Sequence, residues 1–137
     1  MGKIIQIAKI ENSFDVLSSK KTKTEAVIRT REIEFLVDTG AAMLCLPIDT
    51  IEELGLDYLQ TRQVMTANGV VSRRIYSSVK ITIFDREATM DVMELPPGTP
   101  PLMGYLVLET LDLYPDAVRQ TLTGNPKYDG KMIMDLL

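Results

Sequence analysis

The chain has 137 residues, of which 45% are hydrophobic and 25% are charged, a balance typical of a single globular domain. It contains no histidine, which excludes the Ser/His/Asp and Cys/His hydrolytic mechanisms and removes the commonest zinc ligand. The net charge is −4 and the 15 Lys and Arg residues are largely dispersed, which argues against nucleic-acid binding.

Cys45 is the single cysteine, so no intrachain disulfide can form. Gln6 and Lys9 interrupt the apolar opening segment, so it is a poor signal peptide, and we expect a cytoplasmic protein. No stretch approaches the roughly 18 apolar residues that a membrane span needs, so no membrane partner is expected. Cys45 lies in an apolar run and is predicted to be a buried, inert thiol. The composition predicts one domain over 1–137 that needs no metal or cofactor.

Apolar and β-branched residues predict that most of the chain forms strands. Residues 3–10 and 23–37 are rich in Ile, Val, Thr and Phe. Residues 75–92 alternate apolar and polar positions on both sides of Asp85-Arg86, which predicts a β-hairpin. A second hairpin is predicted at Asn68-Gly69, a dipeptide that tolerates positive φ in a tight turn.

Two short helices are predicted among these strands. The first covers 47–54 and ends at Gly55, and the second covers about 105–113 and is ended by Pro115. Residues 95–101 contain four prolines and form a surface connection between the hairpins and the second helix. The expected fold is mostly β with one or two short helices.

Asp38 follows directly after an apolar strand, in the run Phe35-Leu36-Val37-Asp38-Thr39-Gly40-Ala41. A carboxylate beside a core strand is unfavourable unless hydrogen bonds or a function compensate for it. Gly40 lets backbone approach the carboxylate closely, and Thr39 has a hydroxyl with which to brace the loop. The alternative is an ordinary turn at the end of a strand, in which Asp and Gly have no further role.

This pattern resembles the retropepsin-like, retroviral-type aspartic proteases, whose signature is apolar residues followed by Asp-Thr-Gly-Ala. The family also has an apolar-apolar-Gly element with a short helix after it, which Leu102-Met103-Gly104 matches. Between the two elements the family has a flap hairpin that closes over substrate, and residues 66–71 have that position. The resemblance covers about residues 23–114, and it depends on the order and spacing of the three elements.

The resemblance implies a closed, acid-protease β-barrel protomer with a single Asp-Thr-Gly lobe and Asp38 at a two-fold axis. Pepsin-like enzymes carry two signature loops in one chain, whereas this chain carries one, so a second copy supplies the other Asp38. The implied activity is that of a homodimeric aspartic endopeptidase that cleaves peptides or proteins. The implied catalytic residues are Asp38, Thr39 and Gly40. The implied substrate-binding residues are Ala41, Ala67, Asn68, Gly69, Val70, Leu102 and Gly104.

Two other functions fit the same residues: a catalytically inactive, dimeric module that binds peptides or a partner, and a purely structural β-domain. Ala42-Met43 and Tyr105 stand where viral relatives often have charged residues that brace the dimer, so the dimer contacts must differ. Residues 115–137 lie beyond the resemblance. Three roles fit this segment: a lid, a self-cleaved segment or simple packing. The apolar ends, Ile4-Ile5 and Met132-Ile133-Met134, are suited to a sheet between protomers.

Overall fold

The computed structural model describes residues 3–22 and 27–136, and these form a mostly β domain. Their strands are β1 Ile5–Asn12, β2 Thr30–Val37, β3 Leu44–Pro47, β4 Asp57–Thr66, β5 Gly69–Ile83, β6 Arg86–Leu95, β7 Leu102–Met103, β8 Leu113–Asp116 and β9 Thr121–Gly124. Their α-helices are α1 Ser13–Thr22, α2 Ile48–Glu53 and α3 Tyr105–Leu111, and a 3₁₀ helix covers Pro126–Tyr128. No helix within the described ranges is long and apolar enough to cross a membrane.

Six strands close into a ring of sheet in the order β1-β2-β7-β3-β6-β5. The ring closes because β5 also pairs with β1, with Ile81 opposite Ile10. The β2–β7 and β3–β6 pairs are parallel, and the other four pairs are antiparallel. β4 joins this ring through β5 and projects from it as half of a hairpin. The predicted closed protomer is therefore a closed ring of sheet with one extended hairpin.

The core fills the inside of the ring with aliphatic and aromatic side chains. Phe35, Leu44, Leu46, Ile81 and Met103 are at most 1% exposed. Burying one such side chain contributes roughly 1.5–3 kcal/mol. α2 and α3 each pack apolar side chains against this core. The end of β2, which leads into the Asp38 loop, and β7, which pairs with it, are thus fixed to this core.

Helix α1 corrects the expectation of one or two short helices, since the described residues form three α-helices. Of its ten residues Ser13 and Val16 are buried, so it has no apolar stripe for a periodicity argument to detect. Its start is stabilised by Asn12, whose Oδ1 accepts a hydrogen bond from the Asp15 backbone N–H (3.1 Å). The Asn12 amide also donates to the Leu54 carbonyl (2.8 Å), which ties α1 to α2. The signal in the sequence that could have predicted α1 was therefore Asn12, a residue type favoured at helix N-caps.

Several predicted boundaries also change: β1 covers Ile5–Asn12 instead of 3–10, and α2 covers Ile48–Glu53 instead of 47–54. α3 ends at Leu111, two residues early, because Asp112 adopts the left-handed conformation (φ 54°), and Pro115 lies in β8. β2 begins at Thr30, and residues 27–29 before it have no regular structure. Residues 23–26 of the predicted strand lie outside the described residues.

The segment after α3 packs onto the domain. β8 and β9 pair as a two-stranded hairpin that places Leu113 and Leu122 in the core. Arg86, at the start of β6, donates hydrogen bonds from Nη1 to the Leu111 carbonyl (2.9 Å) and the Asp112 carbonyl, and from Nη2 to the Gly130 carbonyl. One guanidinium thus joins the end of α3 to the chain that follows β9.

The two apolar chain ends have different environments. The Ile4 carbonyl accepts a hydrogen bond from the Val37 N–H (2.9 Å), and Ile5 pairs with Leu36, so the N-terminal strand belongs to its own ring. Residues 131–136 have no regular structure and are exposed. Their predicted role between protomers stays a prediction.

Candidate active site

Asp38 lies directly after β2, at the start of the loop to β3. Its backbone is fixed at both ends, because its N–H donates to the Met103 carbonyl (3.0 Å) and its carbonyl accepts from the Ala41 N–H (3.1 Å). Its side chain is partly exposed, and Oδ1 accepts a hydrogen bond from the Gly40 N–H (2.9 Å). Among the described residues no hydrogen bond reaches Oδ2. The loop therefore presents a held carboxylate with one oxygen available to a ligand.

The signature loop and the apolar-apolar-Gly element form one structural unit. β7, which is Leu102-Met103, lies between β2 and β3, parallel to the first and antiparallel to the second. Met103 is therefore opposite both Val37 and Leu44, on the two sides of the loop that carries Asp38. The structure thus brings together two elements that the sequence separates widely.

The start of α3 is hydrogen-bonded to the backbone of the signature loop. The Gly104 N–H donates to the Met43 carbonyl (3.0 Å), and the Tyr105 N–H donates to the Ala41 carbonyl (2.9 Å). Gly104 is buried, and a Cβ atom there would lie 2.4 Å from the carbonyl carbon of Ala42. Glycine is needed at this position because backbone occupies the space of any side chain. Gly104 thus shapes the loop instead of lining the cleft.

Thr39 and Gly40 are the exposed part of the loop. A Cβ atom on Gly40 would lie 3.2 Å from Asp38 Oδ1, so glycine leaves room beside the carboxylate. The Thr39 hydroxyl makes no hydrogen bond to any residue in the described part of the chain, and the residue borders a hollow of about 310 Å³ beside α3. Its predicted bracing role stays a prediction.

The β4–β5 hairpin is the predicted flap. Its turn is Ala67-Asn68, with Thr66 opposite Gly69, and Gly69 has the positive φ (108°) that was expected of the Asn68-Gly69 pair. The turn thus lies one residue before the predicted Asn68-Gly69. Thr66 explains the shift, because its Oγ1 accepts a hydrogen bond from the Asn68 N–H (3.2 Å) and donates one to the Gly69 carbonyl (2.8 Å). The side chain of Thr66 therefore closes the turn from inside the hairpin.

A cleft of about 440 Å³ separates the signature loop from the outer part of this hairpin, next to its turn. One wall is the loop and β3, with Gly40, Ala41, Ala42, Met43 and Cys45. The facing wall is the hairpin, with Val64, Met65, Thr66 and Arg73. Met93, Leu95, Leu102 and Tyr105 complete the lining. The cleft is mainly apolar and has the size of a small-ligand or peptide side-chain site.

The predicted substrate-binding residues divide into three groups. Ala41 and Leu102 line the cleft, and Gly104 lies beneath the loop. Ala67, Asn68, Gly69 and Val70 form the tip of the hairpin, outside the lining of the cleft.

The lining residues that sequence reasoning missed lie next to the hairpin turn, on β6, and on the loop, β3 and the start of α3, where they are Ala42, Met43, Cys45 and Tyr105. Val64 and Thr66 are two residues apart on one face of β4, and Val71 and Gly69 are their partners on β5. Side chains alternate between the two faces of a strand, so this alternation could have predicted that Val64 lies on the same face of the flap as Thr66.

Cys45 is buried, as predicted, at 4% exposure. Burial, and secondarily the nearby charge of Asp38, raises the pKa of the Cys45 thiol to about 11. We expect iodoacetamide at pH 8 to alkylate the native protein about a hundredfold more slowly than the urea-unfolded chain, because the thiolate fraction falls about tenfold per pH unit.

Mass spectrometry of timed samples measures both alkylation rates, and equal rates would contradict the burial argument.

Because the pKa of the Cys45 thiol is higher in the folded protein than in the unfolded chain, the thiol of the unfolded chain loses its proton first as the pH rises. Cys45 therefore lowers stability progressively above about pH 9.

The described residues bring together no group of three or more Cys, Asp or Glu side chains suited to hold a metal ion.

A family model described as "gag-polyprotein putative aspartyl protease" matches residues 24–110. The match spans the Asp38 loop, the hairpin and the β7–α3 unit, and it covers more than half of the chain. A search of curated proteins finds no match to this chain. The chain therefore belongs to the gag-polyprotein aspartyl protease family, whose members are retropepsin-like domains.

Proposed function

We propose that the protein is an aspartic endopeptidase whose catalytic site forms when two copies bring their Asp38 loops together at a two-fold axis. The observation that carries the proposal is the loop unit itself. It holds one Asp38 carboxylate by a single backbone hydrogen bond at the edge of a mainly apolar cleft. Membership of an aspartyl protease family supports the same chemistry.

The chemistry explains why two copies are needed. Hydrolysis of a peptide without a metal needs one group that takes a proton from water and another that gives a proton to the carbonyl oxygen and then to the amine. One carboxylate cannot hold both protonation states at once. Two carboxylates close together share a single proton, because both cannot ionise without strong repulsion. In this proposal Asp38 of each chain acts as general acid or base, while Thr39 and Gly40 shape the loop.

The substrate in this proposal is a peptide that lies extended between the loop and the hairpin. Its backbone bonds as an added strand, and apolar side chains enter the cleft against Ala41 and Leu102. The hairpin tip, residues 67–70, covers the peptide from above. Gly104 acts indirectly, because it holds the loop in place.

The test of the proposal is the dependence of activity on protein concentration. Cleavage of a mixed peptide library per chain should rise with concentration and level off over the range in which analytical ultracentrifugation shows monomers becoming dimers. A statine-type inhibitor should block cleavage with one molecule bound per two chains. A monomer that is fully active, or one inhibitor bound per chain, would contradict a shared site.

The same experiment separates the enzyme from the inactive binding module. A dimer that binds peptides in the cleft but cleaves none of the library would identify the binding module instead. A chain that neither binds nor cleaves peptides would leave a structural β-domain.

A further inference from the structure

We infer that the cleft selects peptides that carry an aspartate or glutamate side chain, and that Arg73, with Arg62 opposite it, recognises this carboxylate. The inference deepens the proposed function and rests on it for the place of the peptide between loop and hairpin. It concerns the side chains of the hairpin, which the chemistry at Asp38 does not use.

Arg73 is the one charged side chain among the described residues that line the cleft. It is half-buried on β5, and its neighbours across the cleft are mainly apolar side chains of the loop and β6. It forms no ion pair with any residue in ranges 3–22 and 27–136. The single hydrogen bond from its guanidinium goes to the carbonyl of its own neighbour Ser72 (3.3 Å). A half-buried guanidinium with so little compensation favours an anion beside it.

Arg62, which is exposed and lies outside the lining of the cleft, adds a second positive charge on the same face of the hairpin. It pairs directly with Arg73 across the β4–β5 ladder, and directly opposite residues of an antiparallel pair point to the same side. Like charges directly opposite each other destabilise a sheet. Elsewhere on β5 a positive charge is compensated, because Lys80 forms an ion pair with Glu87 of β6 (3.0 Å). Within the described residues, neither Arg62 nor Arg73 forms such an ion pair.

The next residue on the strand shows the contrast. Arg74 points to the other face of the hairpin, where a hydrogen bond with Tyr76 and the charge of Glu94 raise its pKa. Arg74 is thus provided with partners by its own chain, whereas Arg73 is not. The molecule as a whole has a net charge of −4, so the positive charge facing the cleft is a local feature.

A peptide carboxylate fits this pair for geometric reasons. The planar guanidinium of arginine binds a carboxylate through two parallel N–H donors, and an extended peptide turns every second side chain toward one wall. One side chain of the substrate therefore faces the arginine pair while others face the apolar wall. The expected substrate is a mainly apolar segment with one acidic residue at a fixed distance from the scissile bond.

The test compares matched peptides and matched variants. Cleavage of a mixed library by the wild type should enrich Asp or Glu at one fixed position, and changing that residue to Asn or Gln should lower kcat/KM about tenfold. Arg73→Gln should weaken the preference, and Arg62→Gln combined with Arg73→Gln should remove it. Arg74→Gln, the control on the opposite face, should keep it. The preference should weaken as salt is raised.

A second readout separates this inference from the proposed function. The Asp38→Asn protein is exposed to the same library, and mass spectrometry identifies the retained peptides, so no hydrolysis is required. Retention of acidic peptides by a protein whose wild type cleaves nothing would support the inference and refute the protease. Cleavage or retention with no acidic preference, a preference unchanged in Arg73→Gln, or no cleavage and no retention at all would overturn the inference. Circular dichroism verifies that each variant is folded.

Discussion

Replacing Asp38 with asparagine is expected to lower kcat/KM for peptide cleavage by about three orders of magnitude. The change removes the acid and base from both halves of the proposed site at once. Its shape is nearly unchanged, and the amide oxygen of the introduced asparagine is still able to accept the hydrogen bond that Gly40 donates to Oδ1 (2.9 Å). The fold and the dimer should therefore persist.

Three measurements on the Asp38→Asn protein decide the outcome: library cleavage, the urea midpoint and the sedimentation coefficient. Asp91→Asn is the matched control, because Asp91 is exposed on β6 and the same chemical change there should leave activity unaltered. Cleavage at wild-type rates by purified Asp38→Asn would refute the assignment. Loss of activity together with loss of the dimer would indicate a structural role for Asp38.

Replacing Gly104 with alanine is expected to destabilise the protein by about 2–4 kcal/mol and to reduce activity further than the loss of folded protein explains. The added Cβ atom would lie 2.4 Å from the Ala42 carbonyl carbon and 2.6 Å from the Met43 carbonyl oxygen. Backbone cannot move aside as a flexible side chain can, so either the loop or the start of α3 must shift. Both shifts disturb the loop that carries Asp38.

Urea unfolding gives the stability change for Gly104→Ala, and kcat/KM per folded molecule gives the effect on the site. Gly124→Ala is the control, because its Cβ atom would also meet backbone, 2.1 Å from the Gly130 carbonyl oxygen, but on β9. We expect Gly124→Ala to lose stability while its folded fraction retains activity. An unchanged urea midpoint for Gly104→Ala would contradict the close packing described here.

The strands and the loop could be predicted because their signals are local. Ile33 and Phe35 are buried and Glu32 and Glu34 are exposed, as the alternation along β2 requires. The Asp38 loop and the β7–α3 unit were found through motifs, and the structure joins them through hydrogen bonds that the motifs themselves make, such as Asp38 N–H to the Met103 carbonyl.

Other features depend on contacts between distant segments and have no local signal. The ring closes where Ile10 of β1 meets Ile81 of β5, and nothing in either strand specifies that pairing. Helix α1 is held by its cap and its neighbours instead of by an apolar stripe. The position of Arg73 in the cleft follows from which face of the hairpin turns toward the loop, and that is set by the whole ring.

β5 is one unbroken strand of 15 residues that belongs to both the ring and the hairpin. Its pairing with β6 shifts register between Tyr76 and Val79, and β4 shifts register against it between Tyr58 and Gln60. Irregularities of this kind bend a strand and increase its twist. Because β5 continues without a break from the ring into the hairpin, the bend at this level sets the angle at which the hairpin stands over the Asp38 loop.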